Sequence, residues 1–152
     1  MNITVVNPTT KKVKSQRLGQ ALKLILKTLD NQKIRRKKLL VEKKEIVFIF
    51  LSSREMQKIN LKFRKKNCPT DVLSFQSGDQ LALGELIFCL PVLKKQAKQQ
   101  AHSVDQELLY MMIHGLLHLL GYDHEKSKAE EKLMFKLQDS CFEQVRHLTQ
   151  IF

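Results

Sequence analysis

Residues 114–124 read HGLLHLLGYDH and hold three of the chain's five histidines. His114 and His118 are four apart, so on a helix of 3.6 residues per turn they share a face, displaced about 40° around the axis and about 6 Å along it. Two imidazoles so placed can converge on one ion. Gly121 stands where that helix should stop. Glycine readily takes the left-handed conformation that ends a helix and turns the chain back, which would swing His124 toward the other two. Three neutral imidazoles at about 2.0 to 2.1 Å suit Zn²⁺, and a three-histidine site leaves the fourth position of a tetrahedral ion for water or substrate. One zinc ion per chain, on His114, His118 and His124, is the expectation.

A buried histidine taken singly is usually a core residue bonded to backbone. The set differs because three histidines and a chain-reversing glycine between the second and third are each needed to close a tripod. His102 and His147 fall outside the spacing and read as surface residues. The HExxH helix of metalloproteases places a glutamate general base beside its metal, whereas this zincin-like helix carries Gly115 there. Proton transfer must be managed by another group.

The elements around this segment follow from hydrophobic period and punctuation. ITVV at 3–6 reads as a strand stopped at Asn7-Pro8. From Ser15 to about Asn31, Leu18, Leu22, Ile25, Leu26 and Leu29 recur at helical spacing. The charged stretch 31–44 has no clean period and reads as an exposed connection. EIVFIFLS at 45–52 reads as a strand buried on both faces. Ser52 with Glu55 announces a helix to about Lys65, closed by the polar turn NCPTD. VLSFQ at 72–76 and LGELIFCL at 83–90 read as a hairpin. Helices follow over about 91–101, over 104–120 with Ser103 and Gln106 as a capping box, and over about 127–147. The helix of 104–120 is apolar nearly all round, hence buried.

At 152 residues, 43% of them hydrophobic and 28% charged, the chain suits one globular domain over 1–152. Its charge is uneven. Residues 1–66 hold 19 Lys and Arg against 4 Asp and Glu, +15, while 67–152 hold 8 against 11, −3. A basic half suits a polyanion, because neutralising phosphates releases condensed counterions. Cys68, Cys89 and Cys141 are odd in number and lack a CxxC pair, which argues against a disulfide framework or thiolate site and suits a reducing cytoplasm. No stretch approaches the roughly 18 consecutive apolar residues of a membrane span, and no secretory leader is recognisable, so neither a membrane role nor secretion is expected.

HGLLHLLGYDH, preceded by FRKKNCPTDVLSF (63–75) and LGELIF (83–88), strongly resembles the YbeY family of bacterial rRNA-maturation endoribonucleases. The three blocks span roughly residues 60–124 in order. The resemblance implies an α/β (α+β) fold, which with the elements above amounts to a mixed sheet of about four strands packed by five or six helices. It also implies zinc on the three histidines, cleavage of single-stranded RNA rather than DNA, and work with the small ribosomal subunit in 16S 3′-end maturation and ribosome quality control. Arg64 matches the arginine of the family's YR/FR block, and Thr70-Asp71 its TD pair. Asn67 and Gln76 stand where relatives commonly carry aspartate and proline, and Glu85 lengthens the aspartate of LGD.

Arg64 is the expected phosphate clamp, because guanidinium presents a planar fork of donors. Zinc can lower the pKa of a bound water to about 7, with Asp123, Asp71 or Glu85 assisting only weakly; otherwise the 2′-hydroxyl of the RNA attacks. Asp123 either serves so, orients a ligating imidazole or caps a helix. Lys65, Lys66 and the basic run 33–38 are expected to contact RNA and to govern salt dependence. The rival reading is a ribosome-assembly or RNA-binding factor with a mainly structural metal and weak nuclease activity.

Overall fold

The apolar run that starts at Glu45 forms β2 (Glu45–Leu51), one of the two interior strands of a four-stranded mixed sheet in the order β1-β2-β4-β3. The computed structural model describes residues 1–7 and 13–152, so the expected strand stop at Pro8 lies outside the described residues. β1 (Asn2–Val6) and β4 (Ala82–Cys89) run parallel to β2, and β3 (Val72–Gln76) pairs antiparallel with β4 as the expected hairpin.

One face of this sheet carries the main core. Ile46, Phe48 and Phe50 of β2 with Leu86 and Phe88 of β4 are fully buried there, against α1 (Ser15–Asp30) and α5 (Val104–Leu119). The other face is covered by α3 (Ser53–Arg64) and α4 (Leu90–Gln99) over a smaller cluster that includes Met56, Leu73 and Ile87. Burial on both faces of β2 is therefore only partly realised: Val47 and Ile49 are half-buried, because the second layer is thin.

Both predicted capping boxes form. Ser52 Oγ accepts from Glu55 N at 3.4 Å while Glu55 Oε2 accepts from Ser52 N at 2.9 Å, and Ser103 with Gln106 does the same at 3.1 and 3.0 Å. Each satisfies two of the donors that a helix start leaves unpaired. The connection 31–44 contains a short helix, α2 (Leu39–Glu42), too brief to show a period. α6 (Lys128–Val145) packs Met134, Cys141, Phe142 and Val145 onto α5 and α1.

Gly115 explains how α5 meets the sheet. A Cβ at that position would stand 2.7 Å from Leu86 Cδ2 and 3.2 Å from Ser74 Oγ. Its absence lets the helix lie close on β4 and β3, which fixes His114 and His118 beside the β3 wall.

Candidate metal centre and active-site cleft

α5 delivers His114 and His118 with their Nε2 atoms 3.1 Å apart. Each ring is oriented from its far side. His114 Nδ1–H donates to Gln138 Oε1 at 2.9 Å, and Gln138, wholly buried in α6, is itself held by donating Nε2–H to the Tyr110 carbonyl at 3.2 Å. His118 Nδ1–H donates to the Tyr122 carbonyl at 2.9 Å. With the proton of each neutral ring on Nδ1, the two Nε2 lone pairs face one another, and a cation between them resolves their repulsion.

The third ring arrives as the glycine suggests. α5 closes with Gly121 N–H donating to the His118 carbonyl at 2.9 Å and Tyr122 N–H to the Leu117 carbonyl at 3.0 Å, and Gly121 takes φ +89°. This left-handed residue reverses the chain. The His124 ring centroid lies 5.0 Å from that of His114 and 5.1 Å from that of His118, and one ligating nitrogen from each ring falls within 4.8 Å of the others. His124 Nδ1 is buried without a hydrogen-bond partner. A tetrahedral ion with nitrogen ligands at 2.0 to 2.1 Å separates them by about 3.3 Å, so the facing pair already has the required spacing. The unpartnered nitrogen and the all-imidazole donor set both fit zinc.

Burial pushes the His114 imidazole below its ordinary pKa, and the His118 imidazole falls to about 4, first through burial and then through the neighbouring His114. Both rings are therefore neutral, ligand-ready bases at neutral pH. In metal-free protein the unfolded chain takes up protons near pH 6.5 while folded His118 resists until about 4. Its contribution to stability is therefore complete above 6.5 and lost as pH falls toward 4. Thermal melts of metal-free protein should show a falling Tm across that window, and a flatter one in His118→Asn.

The rings lie in a cleft of about 670 Å³. Arg64 and Lys66 line it from the end of α3, where Lys65 at φ 60° turns the chain. Lys66 Nζ reaches to 4.0 Å from Glu125 Oε1. Asp71 stands in the wall with both oxygens engaged: Oδ1 accepts from Val72 N at 2.7 Å and Thr70 Oγ1 at 3.0 Å, Oδ2 from Gln96 Nε2 at 2.8 Å. Asp123, exposed at the cleft, accepts from Glu125 N at 3.0 Å through Oδ1. Glu85 is not brought to the site. On β4, Leu86 faces α5, and Glu85 points to the opposite face of the sheet, exposed.

Three further residues enter that the sequence reading did not single out. Ser74 and Phe135 line the cleft, with the Phe135 ring 5.8 Å from that of His124. Gln138 is the third, and it had a signal: a polar residue on the buried stripe of α6, four after Met134 and three before Cys141. Loss of such an orienting partner typically weakens metal binding about 10- to 100-fold. Gln138→Leu should therefore bind zinc that much more weakly in competition with a chromophoric chelator while keeping its fold.

The basic run is not a free loop. Arg35 N–H donates to Tyr122 Oη at 2.9 Å, its guanidinium makes two bonds to Glu130 at 2.5 and 2.6 Å, and the Arg36 side chain packs on Gly121. The stretch thus braces the turn that carries His124. His102, expected at the surface, is instead half-buried with Nδ1 3.1 Å from Oε2 of Glu107, a buried carboxylate; His147 is exposed as expected.

A sequence model of the family described as Endoribonuclease YbeY matches residues 4–146. The chain belongs to the YbeY endoribonuclease family. It is 42% identical to the endoribonuclease YbeY of Bdellovibrio bacteriovorus over 143 residues, 94% of each chain. It is 39% identical to that of Persephonella marina, covering 70% of this chain and 73% of the relative. The solution structure of a Thermotoga maritima protein superposes with a TM-score of 0.61 at 27% identity, covering 95% of this chain and 89% of that one. The resemblance carried by residues 60–124 therefore extends over nearly the whole chain. As a YbeY-family member the protein is an endoribonuclease, a hydrolase whose substrate is RNA. Among the described residues no helix is long and apolar enough to cross a membrane.

Proposed function

We propose that the protein is a zinc-dependent, single-strand-specific endoribonuclease of the cytoplasm, a single domain over 1–152 that acts in 16S rRNA 3′-end maturation and ribosome quality control. The observation that carries the zinc dependence is the pair of bare Nε2 atoms of His114 and His118, 3.1 Å apart, with a ring nitrogen of His124 within 4.8 Å of the other two ligating nitrogens. A zinc ion held by these three rings would supply a Lewis acid and an activated water.

The residues around the rings divide the remaining work. Arg64 and Lys66 bind the RNA phosphate, the guanidinium offering paired donors where charge grows on the phosphoryl oxygens. Asp71 is committed to Val72, Thr70 and Gln96, so its part is to hold the β3 wall against the substrate. Asp123, one residue before the third ligand and exposed at the cleft, is the carboxylate we assign to proton transfer. Partnership with the small ribosomal subunit rests on the family resemblance and on the basic amino-terminal half.

Cleavage of a single-stranded oligoribonucleotide and of the same strand in a duplex, before and after chelation with zinc added back, tests the proposal. Cutting of the single strand alone, lost on chelation and restored by zinc, is expected. Undiminished cutting by the chelated protein would contradict it. Mass spectrometry of the products separates attack by water, which leaves a linear phosphate end, from attack by the 2′-hydroxyl, which leaves a 2′,3′-cyclic phosphate.

A further inference from the structure

β3 lies at one edge of the sheet, paired with β4 alone, so the two faces of the strand meet across a free side. Ser74 and Gln76 line the metal cleft. Successive strand residues point to opposite faces, so Phe75, between them, lies on the other face. There its ring meets that of Phe63 in α3, with centroids 5.0 Å apart and planes at 65°. Phe63 is 57% exposed.

A lone exposed hydrophobic residue is ordinary; Phe63 differs in its surroundings. Lys62 Nζ stands over the ring, 5.2 Å from its centroid, at the end of an exposed side chain that a base can displace, and Arg64, the next residue, lines the cleft together with Lys66. An exposed ring within a cationic rim is how single-stranded nucleic acids are held: bases stack on the aromatic face while lysine and arginine follow the backbone.

We propose that Phe63, propped by Phe75, is a stacking platform for one nucleobase of single-stranded RNA, whose backbone leaves the metal cleft and crosses the free side of β3. The inference rests on the reading of the cleft as the RNA-cleaving centre and adds a subsite to it. Arg64, the residue after Phe63, lines the cleft, and consecutive Cα atoms are about 3.8 Å apart, so the base held there belongs to a nucleotide close to the scissile phosphate. Every base has a π-face, so the platform supplies affinity and register without sequence choice. Single-strand preference follows, because a base inside a duplex is stacked between its neighbours and has no free face to offer.

A purely structural role, an apolar cover over Phe75, makes a different prediction, since leucine would serve as well. The chain contains no tryptophan, so Phe63→Trp introduces a single fluorophore at the platform. With metal-free protein and a single-stranded oligoribonucleotide, Phe63→Trp should keep wild-type affinity and lose emission on binding. Phe63→Leu should melt at the wild-type temperature yet bind about fivefold to a hundredfold more weakly, the range for losing one aromatic stack. Moving an abasic site along the oligonucleotide should find one position at which wild type and Phe63→Leu bind alike. Equal affinity of Phe63→Leu and wild type for intact RNA, or undiminished emission from Phe63→Trp at saturation, would overturn the platform while leaving the cleft's function standing. Wild-type protein that neither binds nor cuts single-stranded RNA would remove the cleft reading and the platform with it.

Discussion

His118→Ala is expected to lose stoichiometric zinc and to cleave single-stranded RNA about a hundredfold to ten-thousandfold more slowly, the span that several kcal/mol of Lewis-acid stabilisation represents. Losing an orienting partner alone weakens metal sites about 10- to 100-fold, and losing a ligand leaves only two nitrogens to hold the ion. The fold should survive. His118 is only half-buried, while the apolar residues that seat α5 on the sheet, Leu116, Leu117 and Leu119, are untouched. Zinc content by elemental analysis, cleavage rate and melting temperature on one preparation check all three parts. Cleavage equal to wild type would indicate a contaminating nuclease and favour the rival reading of an RNA-binding factor.

Arg64→Lys has the second largest expected effect, and it separates charge from geometry. Lysine keeps the positive charge but presents a single ammonium in place of a planar fork, which matters where two phosphoryl oxygens are held at once. Removing one well-placed donor to developing charge costs about 10²- to 10³-fold in kcat. Because Arg64 is exposed at the rim of the cleft, the lower end of that range, about a hundredfold, is expected, with zinc content unchanged. Single-turnover kinetics on a defined oligoribonucleotide measures it. Wild-type rates would take Arg64 out of the chemistry and leave it a surface arginine of the helix end.

The metal centre was legible because it is local. His114 and His118 sit one turn apart on a helix whose apolar pattern is unmistakable, and Gly121 declares the turn that returns His124. The capping serines at 52 and 103 and the hairpin of β3 with β4 were legible for the same reason, since short-range chemistry decides them. What escaped depends on partners far along the chain. Arg35 meets Tyr122, 87 residues on, and only that contact turns a charged run into a brace. Asp71 looks like a free carboxylate until Gln96, 25 residues later, is found bonded to it. Glu85 stands at the family's LGD aspartate and so reads as a weak helper of the metal; the face it points to depends on how β4 pairs, and the register between β2 and β4 shifts just before it. Gln138 is the intermediate case: its place on the apolar stripe of α6 marks it as a buried polar group that needs a partner, but not which ring it holds.

X-ray absorption at the zinc edge, on protein loaded with one equivalent of metal, tests the tripod most directly. Three imidazole nitrogens at about 2.0 to 2.1 Å with one oxygen ligand from solvent are predicted, the imidazole signal falling by a third in each of the three single His→Ala variants that still retains metal. A sulfur shell, four protein ligands, or a spectrum unchanged by those substitutions would contradict the account.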